Sequence, residues 1–409
     1  MADKQYVLEI PVEAQRGLIY DRNLEYLVLN EPCVSIGLDK RQMSGTSRDY
    51  AKALARVLHG SQQRLHARDS RRIYPHHEIA SHILGFTDPD NTGIEGAELQ
   101  FDALLKGENG RVIIQRDGRG RAVPENIVEQ ITPRDGTTVV LTIDYIVQTI
   151  ATEELRNAAR QFNARKGMVI VVNPQNGEIL AMAAVPSYNP NAPNTYPATR
   201  RRNKPVTDVF EPGSTFKIVL FSALLENNFK KIDELVFCEN GRYRHDGRTI
   251  RDVKNFGWLT VGDVLKNSSN IGTAKMAQEL GAEKFFEMVN AYGFGSKSHI
   301  GLPGETGGIV KHPESWSRFS LASMSFGQEI SVSALQLTMA YAAIANGGKL
   351  LKPQILYGTL NAAGEIERDA QTEVVRRVIS EKTAATLTNQ LIKVVEEGTG
   401  MPARIDGLS

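Results

Sequence analysis

The sequence predicts an α/β protein in two parts: an irregular, β-rich module over 1–135 and a helix-rich α/β domain over 136–409. Three observations predict it. The first third is built of short alternating runs broken by turn signals. Two apolar runs, Gly167-Met168-Val169-Ile170-Val171-Val172 and Glu178-Ile179-Leu180-Ala181-Met182-Ala183, flank the turn Asn173-Pro174-Gln175-Asn176-Gly177, which is a hairpin signal. Beyond residue 214 apolar residues recur at helical spacing.

In chain order, Arg16-Gly17-Leu18-Ile19-Tyr20-Asp21-Arg22-Asn23 reads as strand then turn. A helix is expected at Asp49 to Leu58, a loop at Asp88 to Gly93 and a strand at Val112-Ile113-Ile114. No catalytic constellation is found in this module. A junction falls at Pro133-Arg134-Asp135-Gly136. Thr138 to Ile143 then reads as a strand, and Asp144 caps a helix running to about Arg160. The continuous hydrophobicity of the hairpin at 167–183 places it in the centre of a covered sheet. Thr260 and Asp263 form a capping-box pattern before Val264-Leu265, and Gly281 ends the helix that follows Asn270. A further helix runs from about Ser333 to Ile344 and stops at Asn346-Gly347-Gly348. No internal repeats or low-complexity segments occur.

Bulk properties exclude several classes. With 48 basic and 47 acidic side chains the net charge is +1, which does not suit nucleic acid. The densest basic run, Arg200-Arg201-Arg202 with Lys204, reads first as a solvated loop and second as a contact for an acidic substrate or lipid headgroup. Cys33 and Cys238 are read as two unpaired thiols. Tyr74-Pro75-His76-His77-Glu78 lacks helical i, i+4 spacing and partner cysteines, so it reads as a polar loop rather than a metal site. No metal and no cofactor are expected. No stretch approaches the roughly 18 apolar residues of a membrane helix, and the amino terminus lacks the apolar core of a signal peptide.

Chemistry concentrates at Ser214-Thr215-Phe216-Lys217. It follows the turn Phe210-Glu211-Pro212-Gly213 and opens the apolar run Ile218 to Leu225, which reads as a buried helix. A serine at the first turn with a lysine three residues on puts hydroxyl and amine on one face. Burial there would pull the amine well below its reference pKa of about 10.4. One S-x-x-K is expected by chance in a chain this size, roughly, so context must decide. Lys266-Asn267-Ser268-Ser269-Asn270 supplies S-x-N in a break between two helices, although Ser268 and Asn270 could serve only as caps. A second S-x-N, Ser187-Tyr188-Asn189, reads as a turn.

S-x-x-K with S-x-N is part of the signature of penicillin-binding proteins and serine β-lactamases. The whole chain resembles the class B penicillin-binding proteins, the monofunctional peptidoglycan D,D-transpeptidases, and is more similar to the septal division type than to the elongation type. Arg16-Gly17, Asp21-Arg22-Asn23, Gly93-Ile94-Glu95-Gly96 with Glu98, and Phe101-Asp102 resemble that family's non-catalytic pedestal, a dimerisation-type domain. Asn173-Pro174, Gly177 to Ala181, Pro186 to Asn191, Phe210 to Lys217, Ser325-Phe326-Gly327-Gln328 and Ala345-Asn346-Gly347-Gly348 resemble its transpeptidase domain, a penicillin-binding/β-lactamase-like fold of helices around a mainly antiparallel sheet. The resemblance implies that Ser214 attacks the carbonyl between two terminal D-alanines of a stem peptide while neutral Lys217 takes its proton. It implies that Ser268 relays a proton to the leaving nitrogen and Asn270 binds the substrate amide. The N–H of Ser214 would be one oxyanion donor, and Ser269, Gly327 and Gln328 would line the substrate site. Implied partners are peptidoglycan stem peptides, β-lactams, a membrane glycosyltransferase and division proteins.

The third family motif, K-T-G, is absent from these 409 residues, although Val394 to Gly400 resembles the segment that precedes it. The expectation is therefore a fragment, cut before its last strands and lacking the family's membrane anchor, whose parent faces the periplasm or cell exterior. An open apolar edge on the hairpin is expected to follow, and the chain as given is expected to be inactive, acylated by penicillin poorly or not at all. Two alternatives stay open: a hydrolase (D,D-carboxypeptidase or β-lactamase) and a non-catalytic scaffold or β-lactam sensor.

Overall fold

The computed structural model describes residues 7–32, 70–117, 122–368, 371–405 and 407. The expected helix at Asp49 to Leu58 and Cys33 lie outside these residues. The chain forms two compact units. The first comprises Met1–Tyr145, Ser187–Arg201 and Leu356–Asp369; the second comprises Ile146–Pro186, Arg202–Ile355 and Ala370–Ser409. Each unit thus gathers several stretches of the chain.

Strand pairing explains the composition of the first unit. Val139–Leu141, expected to open the second domain, pairs in parallel with Ile19–Tyr20 and antiparallel with Leu356–Leu360. A six-stranded sheet results, in the order Ile366–Glu367, Leu356–Leu360, Val139–Leu141, Ile19–Tyr20, Tyr26–Pro32, Ser70–Ile73. Ile19, Val28, Val139, Val140 and Leu141 are fully buried in it. The central strand is apolar on both faces, so it belongs to whichever sheet covers both, and that sheet is in the first unit. A second sheet, of three strands, pairs Val7–Val12 and Ala122–Ile131 with either edge of Gly110–Arg116, which contains the expected strand at 112–114.

The first unit is pinned by a buried ionic cluster. Glu98 is 0% exposed and accepts from Arg16 Nε (2.8 Å), Arg72 Nε (2.7 Å) and the Tyr74 hydroxyl (3.3 Å). Arg16 also donates to the Glu98 carbonyl and to Asp102. Two guanidinium forks meeting one carboxylate satisfy charge that would otherwise be costly to bury. The loop at His76-His77 is a turn, as expected, and no metal-binding group occurs among the described residues. In the same unit Arg201 faces Glu95 at 3.6 Å and Arg200 lies over the Tyr196 ring.

In the second unit helix α1 (Tyr145–Gln161) begins where Asp144 placed it. It is tied to the following hairpin, β1 (Gly167–Val172) and β2 (Ile179–Val185), by Gln148, whose side-chain oxygen accepts from Met182 N at 2.8 Å. The hairpin is antiparallel, with Gly167 opposite Val185. β2 is mostly buried and β1 half-buried throughout. Among the described residues it is a two-stranded sheet rather than the centre of a larger one, because β1 has no other strand beside it. Lys204, expected in a solvated loop, is buried, with its amine donating to Pro186 O; Arg202 pairs with Asp208. Among the described residues no helix is long and apolar enough to cross a membrane.

Removing the shared carboxylate should strand two buried guanidinium groups. Glu98→Ala is expected to destabilise the folded chain by about 3–5 kcal/mol, read as a lowered urea midpoint with unchanged slope. A loss within about 0.5 kcal/mol, the range of ordinary surface changes, would show that the cluster contributes nothing to the fold.

Candidate active site

Helix α2 (Lys217–Glu226) places the amine. Its residues Lys217 to Leu224 are all buried, and it packs against Asn270–Leu280, Ala282–Ala291 and Glu381–Glu396. A helix apolar on all sides has no polar face on which to expose a lysine at its first turn. Lys217 is accordingly 1% exposed. Ser214 lies in the preceding 3₁₀ turn, Gly213–Phe216, and is exposed. The first N–H groups of such a turn have no intrahelical acceptor.

Helices α3 (Val261–Lys266) and α4 (Asn270–Leu280) place the second serine. Thr260 caps α3 by accepting from Asp263 N, the expected cap. Between the helices the chain turns so tightly that Ser268 takes φ +56°, a left-handed conformation uncommon for serine. Ser269 then caps α4: its hydroxyl accepts from Gly272 N at 3.0 Å and donates to Asp252 Oδ2 at 2.6 Å. Gly281, φ +90°, ends that helix as expected.

These elements bring Ser214, Lys217, Ser268 and Asn270 together. Lys217 Nζ lies 2.7 Å from Ser268 O, 3.0 Å from Ser268 Oγ and 2.9 Å from Asn270 Oδ1. Ser268 Oγ lies 2.9 Å from Ser214 Oγ. No direct hydrogen bond joins Lys217 to Ser214; Ser268 stands between them. The tight turn at 268 puts its hydroxyl between the two groups.

Lys217 has its pKa lowered to about 7, chiefly by desolvation, against an opposing pull from the Asp252 carboxylate. A neutral amine has two N–H donors and one lone pair. Of its three partners, Ser268 O and Asn270 Oδ1 can only accept, so they take the two N–H groups. The third partner is the Ser268 hydroxyl, whose own hydrogen donates to Ser214 Oγ. The result is a hydrogen-bonded chain that joins Lys217 to Ser214 through Ser268. Asn270 is oriented by its Nδ2 donating to Arg251 O (3.4 Å), which fixes which end faces the lysine. Each end of its amide keeps one further hydrogen-bonding position.

The three expected substrate-lining residues fare differently. Ser269 is 0% exposed and committed to capping α4, so it presents nothing to a substrate. Gly327 is also buried: Gly213 N donates to its carbonyl at 3.0 Å, and a Cβ on Gly327 would sit 2.0 Å from Gly213 O. Its glycine is required for this backbone contact, which sets the position of the nucleophile. Gln328, one residue on, is exposed. The second S-x-N is structural: the Ser187 hydroxyl bonds the Ser81 hydroxyl, and Tyr188 is fully buried, donating to Ser81 O. Cys238 is buried and free.

Sequence reasoning missed Asp252. Beyond Ser269, it accepts from Asn270 N at 2.6 Å and Ile271 N at 3.0 Å, placing a carboxylate on the amino end of α4. Its position after a strand and seventeen residues before Ser269 carries no local signature, so only the fold reveals it.

A buried amine wired through one serine to an exposed second serine, on a helix-rich α/β unit, defines a serine–lysine acyl-transfer class of protein. Comparison with known proteins agrees. The penicillin-binding protein transpeptidase domain matches residues 167–408, and the penicillin-binding protein dimerisation domain matches 11–70 and 65–141. Stage V sporulation protein D of Bacillus subtilis is 32% identical over 448 residues, covering 100% of this chain and 69% of its own length. The peptidoglycan D,D-transpeptidase FtsI of Escherichia coli is 36% identical over 312 residues, covering 75% of this chain and 51% of its own. Penicillin-binding protein 3 of Mycobacterium tuberculosis, solved with aztreonam, superposes with a TM-score of 0.79 at 28% identity, covering 97% of this chain and 80% of that one. The chain belongs to the class B penicillin-binding proteins. It spans about half to two thirds of the length of these curated relatives.

The electrostatics predict how Lys217 titrates. Between about 7 and 10.5 the unfolded chain holds a proton on this amine that the folded chain lacks, so folding stability should rise with pH across that window. Lys217→Met should remove that part of the rise. Asp252→Asn, which withdraws the opposing charge yet keeps an acceptor, should move the Lys217 midpoint below 7, read from the lysine Cε chemical shift during an NMR titration. A midpoint that stays at 10 or above in the wild-type chain would contradict the buried neutral amine.

Proposed function

We propose that this chain is the catalytic part of a peptidoglycan D,D-transpeptidase, with Ser214 as nucleophile and Lys217 as general base acting through Ser268. The observation that carries this reading is the hydrogen-bonded chain from Lys217 through Ser268 to Ser214, with its depressed lysine. Ser214 Oγ attacks the carbonyl carbon of a terminal D-Ala-D-Ala bond as its proton passes to Ser268 and the Ser268 proton passes to Lys217. The C–N bond breaks, and the proton held on Lys217 returns through Ser268 to the leaving amine. The product is an ester on Ser214. An amine from a second stem peptide attacks that ester along the same path in reverse, restoring Ser214 and forming the crosslink.

Asn270 would align the substrate amide through its spare hydrogen-bonding positions, and the Ser214 N–H would face the developing oxyanion. A β-lactam enters the same first step: its ring amide opens, but the amine remains tethered to the acyl group. The pedestal-like first unit, the septal role, membrane anchoring on the exterior side, and association with a membrane glycosyltransferase and division proteins are parts of the same proposal. They are supported by the family membership. An inert scaffold would have no use for an intact hydrogen-bonded chain of this kind.

The test is covalent labelling by a fluorescent penicillin, followed by intact mass. Ser214 should carry the adduct. Ser214→Ala should abolish labelling. Ser268→Ala and Lys217→Met should each slow it by about 10²–10⁴-fold, the usual share of general acid–base catalysis. The wild-type rate should fall as pH drops through about 7, because protonated Lys217 has no lone pair to receive the proton. Labelling that persists in Ser214→Ala, or a Ser268→Ala chain that reacts at the wild-type rate, would overturn the reading.

A further inference from the structure

A basic hairpin runs directly into the site. β3 (Arg242–His245) and β4 (Arg248–Arg251) pair antiparallel, with Arg242 opposite Arg251, Tyr243 opposite Ile250, Arg244 opposite Thr249 and His245 opposite Arg248. The alternation of a strand sends Tyr243, His245, Arg248 and Ile250 to one face. That inner face is anchored: Lys275 lies 5.7 Å from the Tyr243 ring centre, His245 stacks on Tyr243, and Arg248 sits 4.8 Å over Phe319. Ile250 is buried.

The outer face carries Arg242, Arg244 and Arg251, all exposed. Among the described residues none of their guanidinium groups has an ion-pair or hydrogen-bond partner. The acids that could have answered them are committed elsewhere. Asp246 faces His245 at 3.5 Å, Glu239 pairs with Lys275, and Asp252 holds the amino end of α4. Like charges directly across a ladder oppose pairing, so Arg242 and Arg251 face each other at a small cost that an anion would relieve. The row also ends at the chemistry. Arg251 precedes Asp252, and its carbonyl accepts from Asn270, the partner of Lys217. In an extended strand Arg244 lies about 7 Å beyond Arg242, so the row reaches roughly two residues of an extended peptide.

From this we propose that the outer face of the β3–β4 hairpin recognises an acidic peptide, with Arg242, Arg244 and Arg251 binding carboxylates that lie beyond the bond cleaved at Ser214. Planar guanidinium forks match carboxylates two bonds at a time, and a hairpin fixed by its inner face holds them in place. The proposal deepens the acyl-transfer reading, on which it rests, by making these arginines specificity-determining for the peptide. β-Lactams, which lack the peptide's distal carboxylates, would not use them.

The test measures binding separately from reaction. Two fluorescein-labelled peptides ending in D-Ala-D-Ala are compared by anisotropy, one with two free carboxylates along its chain and one with the same two groups amidated. The wild-type chain should bind the acidic peptide at least tenfold more tightly. Arg242→Gln/Arg244→Gln should reduce that preference to about twofold or less, and Arg251→Gln should lower it in part. The double variant should keep the wild-type melting temperature and penicillin-labelling rate. The salt dependence of acidic-peptide binding should flatten in the double variant. Equal binding of the two wild-type peptides, undiminished preference in the double variant, or arginine-dependent binding of phosphatidylglycerol vesicles without peptide discrimination would each overturn the proposal. Penicillin labelling reports independently on acyl transfer: peptide discrimination without labelling would sink the catalytic reading and leave the acidic-peptide site standing.

Discussion

Burial of one amine governs this site. Lys217 opens a helix with no solvent-facing side, and its ammonium form would have to surrender hydration with only neutral oxygens around it. The structure meets that constraint by lowering the pKa rather than by supplying a contacting carboxylate. Asp252 is close enough to oppose the shift but touches the amine through no hydrogen bond. Had a carboxylate bonded Lys217 directly, the amine would be cationic at neutral pH and have no lone pair. The partners of Lys217 are therefore as important as its burial, since two carbonyl-type oxygens take its two N–H groups.

The second requirement is that Ser268 be held where it can pass a proton both ways. A left-handed serine between two helices is a conformation the chain would not choose in isolation. It is stabilised from both sides: Thr260 caps α3, while Ser269 and Asp252 together satisfy the first N–H groups of α4. Ser269, inside the motif, thus acts on the helix rather than on a ligand. Removing a helix cap ordinarily costs about 0.5–2 kcal/mol; here it would also release the relay hydroxyl.

Much of this was legible in the sequence wherever the signal is local. The helix from Asp144, the cap at Thr260, the helix from about Ser333, the stop at Gly281 and the hairpin around Asn176-Gly177 all follow from short-range rules, and all are present. The S-x-x-K spacing put Ser214 and Lys217 on one turn, and S-x-N pointed to Ser268 and Asn270. What stayed hidden depends on distant partners. Nothing near Val139 announces that it will pair with Ile19 and Thr359. Nothing near Asp252 announces a helix whose cap, Ser269, lies seventeen residues ahead. The order of the hydrogen-bonded chain was also illegible, because spacing shows which groups share a region but not which of them stands in the middle.

The backbone contact between Gly213 and Gly327 has a consequence for how the protein becomes active. The serine proposed to react is steadied by residues more than a hundred positions later in the chain, through the bond from Gly213 N to Gly327 O, an approach too close for any side chain, and the paired bonds of Phe210 with Val332. A nascent or partly unfolded chain therefore carries an ordinary alcohol at residue 214, indistinguishable in reactivity from any other. Chemical competence arrives late, when the segment around Gly327 docks, so the unfinished protein cannot be trapped by reagents that capture the mature one.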